Sequence, residues 1–310
     1  MGTRKAAIIG IILVVVLLSC ISVVLNLGYE PQTTTTEEET YISVIDDLGR
    51  NVTIPENPER IISLSGDITE MLYAIGAGDR IVGVDKYSVY PPEVKDKPCV
   101  GSSAGLNVEL VLSLQPDIVL IWPYQELVIP LLEDEDVAVL VLDATSLEDL
   151  LQKIEFLGSV CSKNSEANTL VSEMRSKIGE ITNKTGEVAG TQKPAVYFEG
   201  YSPMCSYGAG TFTNELISLA GGINIAANES VRYPILTGEC IIHANPDVII
   251  VVSRGATIED IKMRGGWQEI NAVKNGKIYQ IDVKWVSANP RIILGLEQLA
   301  RWLHPEIFED

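Results

Sequence analysis

Histidine is almost absent from this chain: only His243 and His304 occur, and no C-x-x-C pair is found among the five cysteines. Zinc sites are built from clustered cysteine and histidine, so no resident metal is expected, nor the histidine-rich pocket of a zinc or manganese carrier. Basic runs are missing too. Against 42 acidic residues stand 23 basic ones, a formal net charge of −19, and such a chain repels a phosphate backbone rather than gripping it. Nucleic acid is not an expected partner. No G-x-x-x-x-G-K-[ST] loop or G-x-G-x-x-G turn is present, so phosphoryl and dinucleotide chemistry lack their backbone cradles. An α/β enzyme is therefore only a distant alternative, and no catalytic residue is assigned.

What remains is ordinary globular material. Hydrophobic residues make up 46% and charged residues 21% of 310 positions, which argues against wholesale disorder. The length suits two domains of about 150 residues each.

The first residues set the compartment. Arg4 and Lys5 precede an apolar stretch from Ala6 to Leu27, and no further basic residue occurs before Arg50. Positive charge stays on the cytoplasmic side, so the rest of the chain is expected on the extracytoplasmic face of the cell membrane. Leu17-Leu18-Ser19-Cys20 has the form of a bacterial lipobox, whose cleavage would leave Cys20 as a lipid anchor. Left uncut, the same run is long enough to span a bilayer, for which about 20 residues suffice. Residues 1–28 are thus read as signal or membrane anchor, and 29–40, which include the polar QTTTTEEE run, as a stalk. In an external setting Cys99, Cys161, Cys205 and Cys240 are able to form disulfides, in pairings that spacing leaves open.

Beyond the stalk, helix and strand signals alternate. Tyr41 to Ile45 and Val52 to Ile54 flank a turn-forming D-D-L-G-R and read as a hairpin. Ile61 to Leu64, Ile81 to Val84, Asp117 to Ile121 and Val137 to Leu142 are apolar runs of the kind found in parallel strands covered on both faces. Between them, Asp67 with Glu70 has capping-box spacing for a helix running on to Ile75, and helical segments lie near Val108 to Ser113 and Leu127 to Glu133. Ser146 with Asp149 opens another helix, reaching about Val160. From Ser165 to Lys184 no proline occurs, and Leu170, Met174, Ile178 and Ile181 keep to one face. About twenty residues at ~1.5 Å each make a rod near 30 Å, able to bridge two domains. Strands at Ala195 to Phe198, Val248 to Val252 and Ile278 to Ile281, with helices at Phe212 to Leu219 and Arg291 to Leu303, complete the pattern. The expected fold is α/β: two Rossmann-like lobes, 41–162 and 188–310, joined by a long rigid backbone helix over 163–187.

The lobes echo one another. Glu109 stands eight positions before Asp117 in Q-P-D-I-V-L-I, and Glu239 eight before Asp247 in N-P-D-V-I-I-V. Each acid falls in the first turn of a short helix capped by Asn107 or Thr237. A lone glutamate there needs no more explanation than the helix dipole, worth about 0.3 to 1 kcal/mol. Two at matched places are what a two-fold symmetric partner could grip.

These motifs resemble those of the class III solute-binding proteins that serve cobalamin, ferric siderophore and haem ABC importers. The resemblance runs from about Tyr41 to the C-terminus and rests on R-I-I-S-L at Arg60, G-x-x-D-R-I-V-G-V at Gly76 and L-N-V-E-L-V-L-S-L-Q-P-D-I-V at Leu106. G-T-F-T-N-E-L-I-S-L-A-G-G-I-N-I-A at Gly210, W-Q-E-I-N-A-V-K-N-G-K-I-Y at Trp267 and N-P-R-I-I-L-G-L-E-Q-L-A at Asn289 continue it. It implies that Glu109 and Glu239 dock on arginines of a dimeric ABC permease, and that a metal chelate of cobalt or iron lies between the lobes without being a cofactor. Loops at strand ends then supply the contacts: Ser65, Asp67, Tyr87, Tyr90, Trp122 and Tyr124 from the first lobe, and Tyr201, Tyr207, Tyr233 and Trp285 from the second. Aromatic faces suit a large flat ligand.

Asp85 to Pro92, Asp143 to Ser146 and Trp285 with Asn289 to Leu294 are similar to stretches of cobalamin-binding members, so a corrinoid is favoured over a ferric siderophore or haem. The chain departs from those members where Gly101-Ser102-Ser103-Ala104-Gly105 replaces a tryptophan-bearing stretch, and where Tyr233 replaces a second tryptophan. An anionic siderophore would call for several cations, and Lys86, Arg232, Arg254 and Lys284 are those expected near the cleft.

Overall fold

A computed structural model describes residues 40–188 and 193–308. Cys20, the anchor expected over 1–28 and all of the stalk expected over 29–40 except Thr40 lie outside the described residues, among which no helix is long and apolar enough to cross a membrane.

The fold begins with the expected hairpin, β1 (Tyr41–Ile45) against β2 (Asn51–Pro55). Its turn is held by the buried Asp46 carboxylate, which accepts the N–H groups of Leu48 and Arg50 at 3.1 and 2.9 Å. The Arg50 guanidinium closes on the same carboxylate and donates to Val139 O at 2.8 Å, fastening the hairpin to the first sheet.

That sheet contains β3 (Ile61–Ser63), β4 (Ile81–Val84), β7 (Ile118–Ile121) and β8 (Val139–Val141) in the order β4-β3-β7-β8, all parallel. A small antiparallel pair, β5 (Gly101–Ser102) and β6 (Gly105–Leu106), lies between β4 and β7 in sequence. The second sheet contains β9 (Ala195–Glu199), β10 (Ile223–Asn224), β11 (Val248–Val252) and β12 (Ile278–Ile281) in the order β10-β9-β11-β12, again all parallel. Numbered within each lobe, both sheets run second, first, third, fourth.

The crossovers and flanks are α1 (Gly66–Ala74), α2 (Val108–Ser113), α3 (Ile129–Glu133), α4 (Leu147–Val160), α5 (Asn164–Gly186), α6 (Phe212–Leu219), α7 (Gly238–Ala244), α8 (Ile258–Met263), α9 (Asn271–Lys274), α10 (Ile292–Leu303) and α11 (Pro305–Phe308). The rod foreseen over 165–184 is α5, whose 23 residues span about 35 Å. It buries Ala167, Val171, Met174 and Ile181 and leaves its charged face to solvent.

Successive strand residues point to opposite faces, and the core divides accordingly. Ile62, Val119 and Val139 belong to one cluster on the outer face of the first sheet, and Tyr197, Ile249 and Val251 to another on the second. The third cluster is shared. It runs from Ile61, Leu120 and Leu140 through Met174 and Ile181 of α5 and Leu296 and Leu299 of α10 to Val196, Phe198 and Ile250. One continuous apolar core therefore joins the lobes, and moving them apart would open it.

The echo has a structural role. Gln115 and Asn245 both adopt φ of 46°, a left-handed conformation, and each precedes the proline that ends its helix. The aspartate after that proline splices two strands. Asp117 accepts the N–H groups of Glu59 and Arg60 at 2.7 and 2.8 Å just before β3, and Asp247 accepts that of Ala195 at 3.0 Å as β9 begins.

Several local expectations are corrected. Asp67 and Glu70 do not form a capping box: Ser65 is the N-cap of α1 and accepts the Asp67 N–H, because both carboxylates are drawn to cations of the second lobe. Asp149 does receive the Ser146 cap, but its carboxylate turns to the N–H and hydroxyl of Thr145. The segment before α3 is a 3-10 turn at Pro123–Val128. Cys99, Cys161, Cys205 and Cys240 are all free.

Candidate binding cleft

In both sheets the carboxyl ends of the parallel strands carry the loops that face the other lobe, the place where open α/β sheets hold ligands. Two adjoining cavities lie there, of about 900 and about 470 Å³, sharing Asp67, Tyr124, Tyr201 and Val283 as a common wall. A separate hollow of about 650 Å³ at the far end of α5, by Lys184, Glu187 and His304, carries no tyrosine or tryptophan among the described residues.

The first lobe builds its wall from neutral hydrogen bonds. Ser65, at the end of β3, accepts the Trp122 indole N–H at 2.7 Å. Gln125 accepts the Trp122 backbone N–H at 2.9 Å and donates its amide to Leu64 O at 2.7 Å. Trp122 is thereby fixed, only 5% exposed, with an edge at the smaller cavity. Tyr124, two residues on, is 76% exposed. Tyr87 and Tyr90 line the larger cavity, the latter beneath the Arg291 guanidinium at 4.1 Å. In the second lobe Tyr207 stands edge-on to Phe198 and Tyr233, with ring centroids 5.3 and 5.7 Å apart. Burial pushes the Tyr207 phenol up to about 12.

Polar links cross between the lobes beside the cavities. Lys284 Nζ lies 3.2 Å from Asp67 Oδ1, and the Asn289 amide donates to the same oxygen at 3.0 Å. Arg291 grips both Glu70 oxygens through Nε and Nη2, each at 2.7 Å, while burial pushes the Glu70 carboxyl up against that pull. Glu215 of α6 accepts the Leu147 N–H at 2.9 Å, capping the first-lobe helix α4 from the second lobe, and burial pushes its carboxyl up as well.

Of the expected contact residues, Ser65, Asp67, Tyr87, Tyr90, Trp122, Tyr124, Tyr201, Tyr207 and Tyr233 line one or both cavities. Trp285 does not. It packs against the shared core, with its carbonyl pressed on Gly295 where any Cβ would collide, so the close approach of α10 turns the ring into packing. Arg291 was missed as a cleft residue, since N-P-R reads as the start of a helix. Its partner Glu70 was read as a cap, and only the meeting of lobes reveals the pair.

Gly101-Ser102-Ser103-Ala104-Gly105 formally spells G-x-S-x-G, the pattern of a nucleophile elbow. Here it forms the β5–β6 hairpin rather than a strand-to-helix turn, and both histidines lie in the second lobe.

Glu109 and Glu239 are exposed in the first turns of α2 and α7, after Asn107 and Thr237 caps that accept from Leu110 N and Cys240 N at 3.0 and 3.2 Å. A crossover helix runs against its parallel strands, so both helix starts lie at the strands' carboxyl ends, on the rim that also bears the cleft loops.

A family model described as periplasmic binding protein matches residues 61–284. The chain belongs to that family. It is 34% identical over 278 residues to an uncharacterized ABC transporter substrate-binding lipoprotein of Bacillus subtilis (strain 168), covering 87% of each chain. To a vitamin B12-binding protein of Photorhabdus laumondii subsp. laumondii it is 28% identical over 257 residues, covering 80% of this chain and 88% of that one. A periplasmic heme-binding protein of Roseiflexus sp. RS-1, solved in apo form, superposes with a TM-score of 0.70 at 27% identity, over 80% of this chain and 99% of the other. The two-lobed fold is that of class III binding proteins, and the chain is a solute-binding protein of the ABC-importer type rather than an enzyme.

Proposed function

We propose that this chain is the extracytoplasmic binding component of an ABC importer for a metal chelate, and that the chelate is a corrinoid. The observation that carries the reading is the aromatic cleft: Trp122, Tyr124, Tyr207 and Tyr233 border the smaller cavity from both lobes, offering the flat faces that a large planar ligand buries. The name of the Photorhabdus relative points the same way.

The mechanism is capture without chemistry. The shared core and the polar links between the lobes limit closure to a small movement, unlike the wide swing of strand-hinged proteins. Glu109 and Glu239 then present one carboxylate per lobe to the two-fold related arginines of a permease dimer, and an anchor in the first 28 residues, by lipid at Cys20 or by an uncut helix, keeps the protein at the membrane.

Titrating the purified chain with cyanocobalamin, a ferric siderophore and haemin, monitored by visible absorbance and tryptophan quenching, tests the ligand. Cyanocobalamin is expected to saturate at one per chain and to quench Trp122. Tight binding of either other chelate with none of cyanocobalamin overturns the corrinoid assignment; failure of all three overturns the chelate reading.

A further inference from the structure

The larger cavity is bordered by four cations, Lys86, Arg254, Lys284 and Arg291. Two are already neutralised across the lobes, Lys284 by Asp67 and Arg291 by Glu70. The other two have no ion-pair partner among the described residues. They come from opposite walls. Lys86 comes just after β4 in the first lobe, its backbone N–H donated to Gly101 O at 2.8 Å and its ammonium 4.9 Å above the Tyr87 ring. Arg254 comes just after β11 in the second.

The Arg254 backbone is held where arginine seldom goes, at φ of 87°. Such a conformation persists only where the surroundings over-determine it, and functional sites are where it collects. The surroundings here are tight. Ser253 N–H donates to Ile281 O at 2.7 Å, and Gly255 lies so close to the next loop that a Cβ would fall 2.6 Å from Gly200 O. Arg254 is also near enough to Tyr201 for its charge to oppose the rise that burial imposes on that phenol. Two further acids line this cavity and neither pairs with Lys86 or Arg254: Asp85 is buried and accepts the Ser88 hydroxyl at 2.6 Å, and Asp282 accepts the Lys284 backbone N–H at 3.0 Å.

We propose that Lys86 and Arg254 form a two-lobe clamp for one anionic group at the periphery of the ligand, a phosphodiester or a carboxylate, while the aromatic cavity takes the flat chelate. The clamp rests on the chelate reading and sharpens it: the ligand is a planar body with an anionic arm. Guanidinium offers a bidentate fork to such a group and ammonium a point charge, so the bound anion adds a bridge between lobes that the protein by itself lacks.

The test compares cyanocobalamin with dicyanocobinamide, the same corrin without the phosphodiester arm, on the full chain and its Arg254→Gln, Lys86→Gln and double variants. Both side chains are exposed, so unchanged unfolding midpoints are expected and confirm folding. Each single variant should weaken cyanocobalamin about ten-fold or more, as loss of a charged hydrogen bond does, with cobinamide affinity held within about two-fold. Arg254→Lys should recover part of the loss. Haemin and ferric citrate identify a carboxylate source: a loss confined to these ligands supports the clamp with a carboxylate instead of a phosphodiester. Equal losses for cobinamide, or unchanged affinity for every chelate that the unmodified chain binds, overturn the clamp and leave the chelate reading standing. An unmodified chain that binds none of the four overturns the chelate reading itself.

Discussion

The two lobes share one sheet topology and one helix–turn–strand echo, yet they secure their cleft walls by opposite means. Behind the loop after β3 stands the neutral set of Ser65, Trp122 and Gln125. Behind the equivalent loop after β9 stands a charge: the fully buried Glu199 carboxylate, gripped by both arms of Arg264 at 2.6 Å and accepting the Tyr197 hydroxyl at 2.6 Å and the Met204 N–H at 3.1 Å. The Arg264 guanidinium carbon sits over the Trp267 ring, 4.6 Å from its centroid. Topology tolerates either anchor, because both do the same work, pinning the strand-end segment that carries Ser65 on one side and Tyr201 on the other. They differ in how much stability the loss of a single member removes.

Where the lobes are alike, the break should be large and symmetric. Reversing Glu109→Arg and Glu239→Arg together is expected to cut transport by about 100-fold or more, since on the proposed docking like charges would then face one another, with ligand affinity unchanged; either reversal alone should leave partial uptake. Full uptake by the double variant would dissolve the docking assignment. Where the lobes differ, stability should register it. Arg264→Ala strands Glu199 in the core and is expected to cost about 3–5 kcal/mol in urea unfolding, whereas Arg264→Met with Glu199→Gln should recover much of that. Ser65→Ala removes a cap and an indole acceptor and should cost about 1–2 kcal/mol. A Ser65→Ala loss as great as that of Arg264→Ala would erase the contrast.

The smallest effect lies at the seam. Burial raises the Glu215 carboxyl in the folded state, so the folded chain holds that proton more tightly than the unfolded chain, whose glutamate titrates near 4.3. The group's contribution is complete below that value and is lost as pH rises through the raised one. Glu215→Gln keeps an acceptor for Leu147 N–H and should flatten this dependence, giving a slightly more stable protein at neutral pH. Thermal unfolding of both forms from pH 4 to 7 checks it, and parallel curves would rule out a Glu215 contribution.

Much of the molecule was legible in its residues because the signals are local. Apolar runs of four to six residues marked nearly every strand of the two sheets, the proline-free stretch marked α5, and the Glu–Asp spacing marked the echo. The cleft aromatics could be named because loops at strand ends are few. Trp285 failed for a reason no spacing carries, the closeness of α10 at Gly295. Glu70 and Asp67 looked like helix caps because their partners, Arg291 and Lys284, lie more than two hundred positions away.

By itself, then, the sequence determined the alternation of elements, the doubled architecture, the acidic surface and the matched exposed acids, all properties of periodicity and composition that neighbouring residues enforce on one another. Only the tertiary structure decided which cations of the cleft are spent on inter-lobe pairs, and that one core runs through both lobes. Those depend on distances between segments far apart in the chain, which packing sets and local propensity does not.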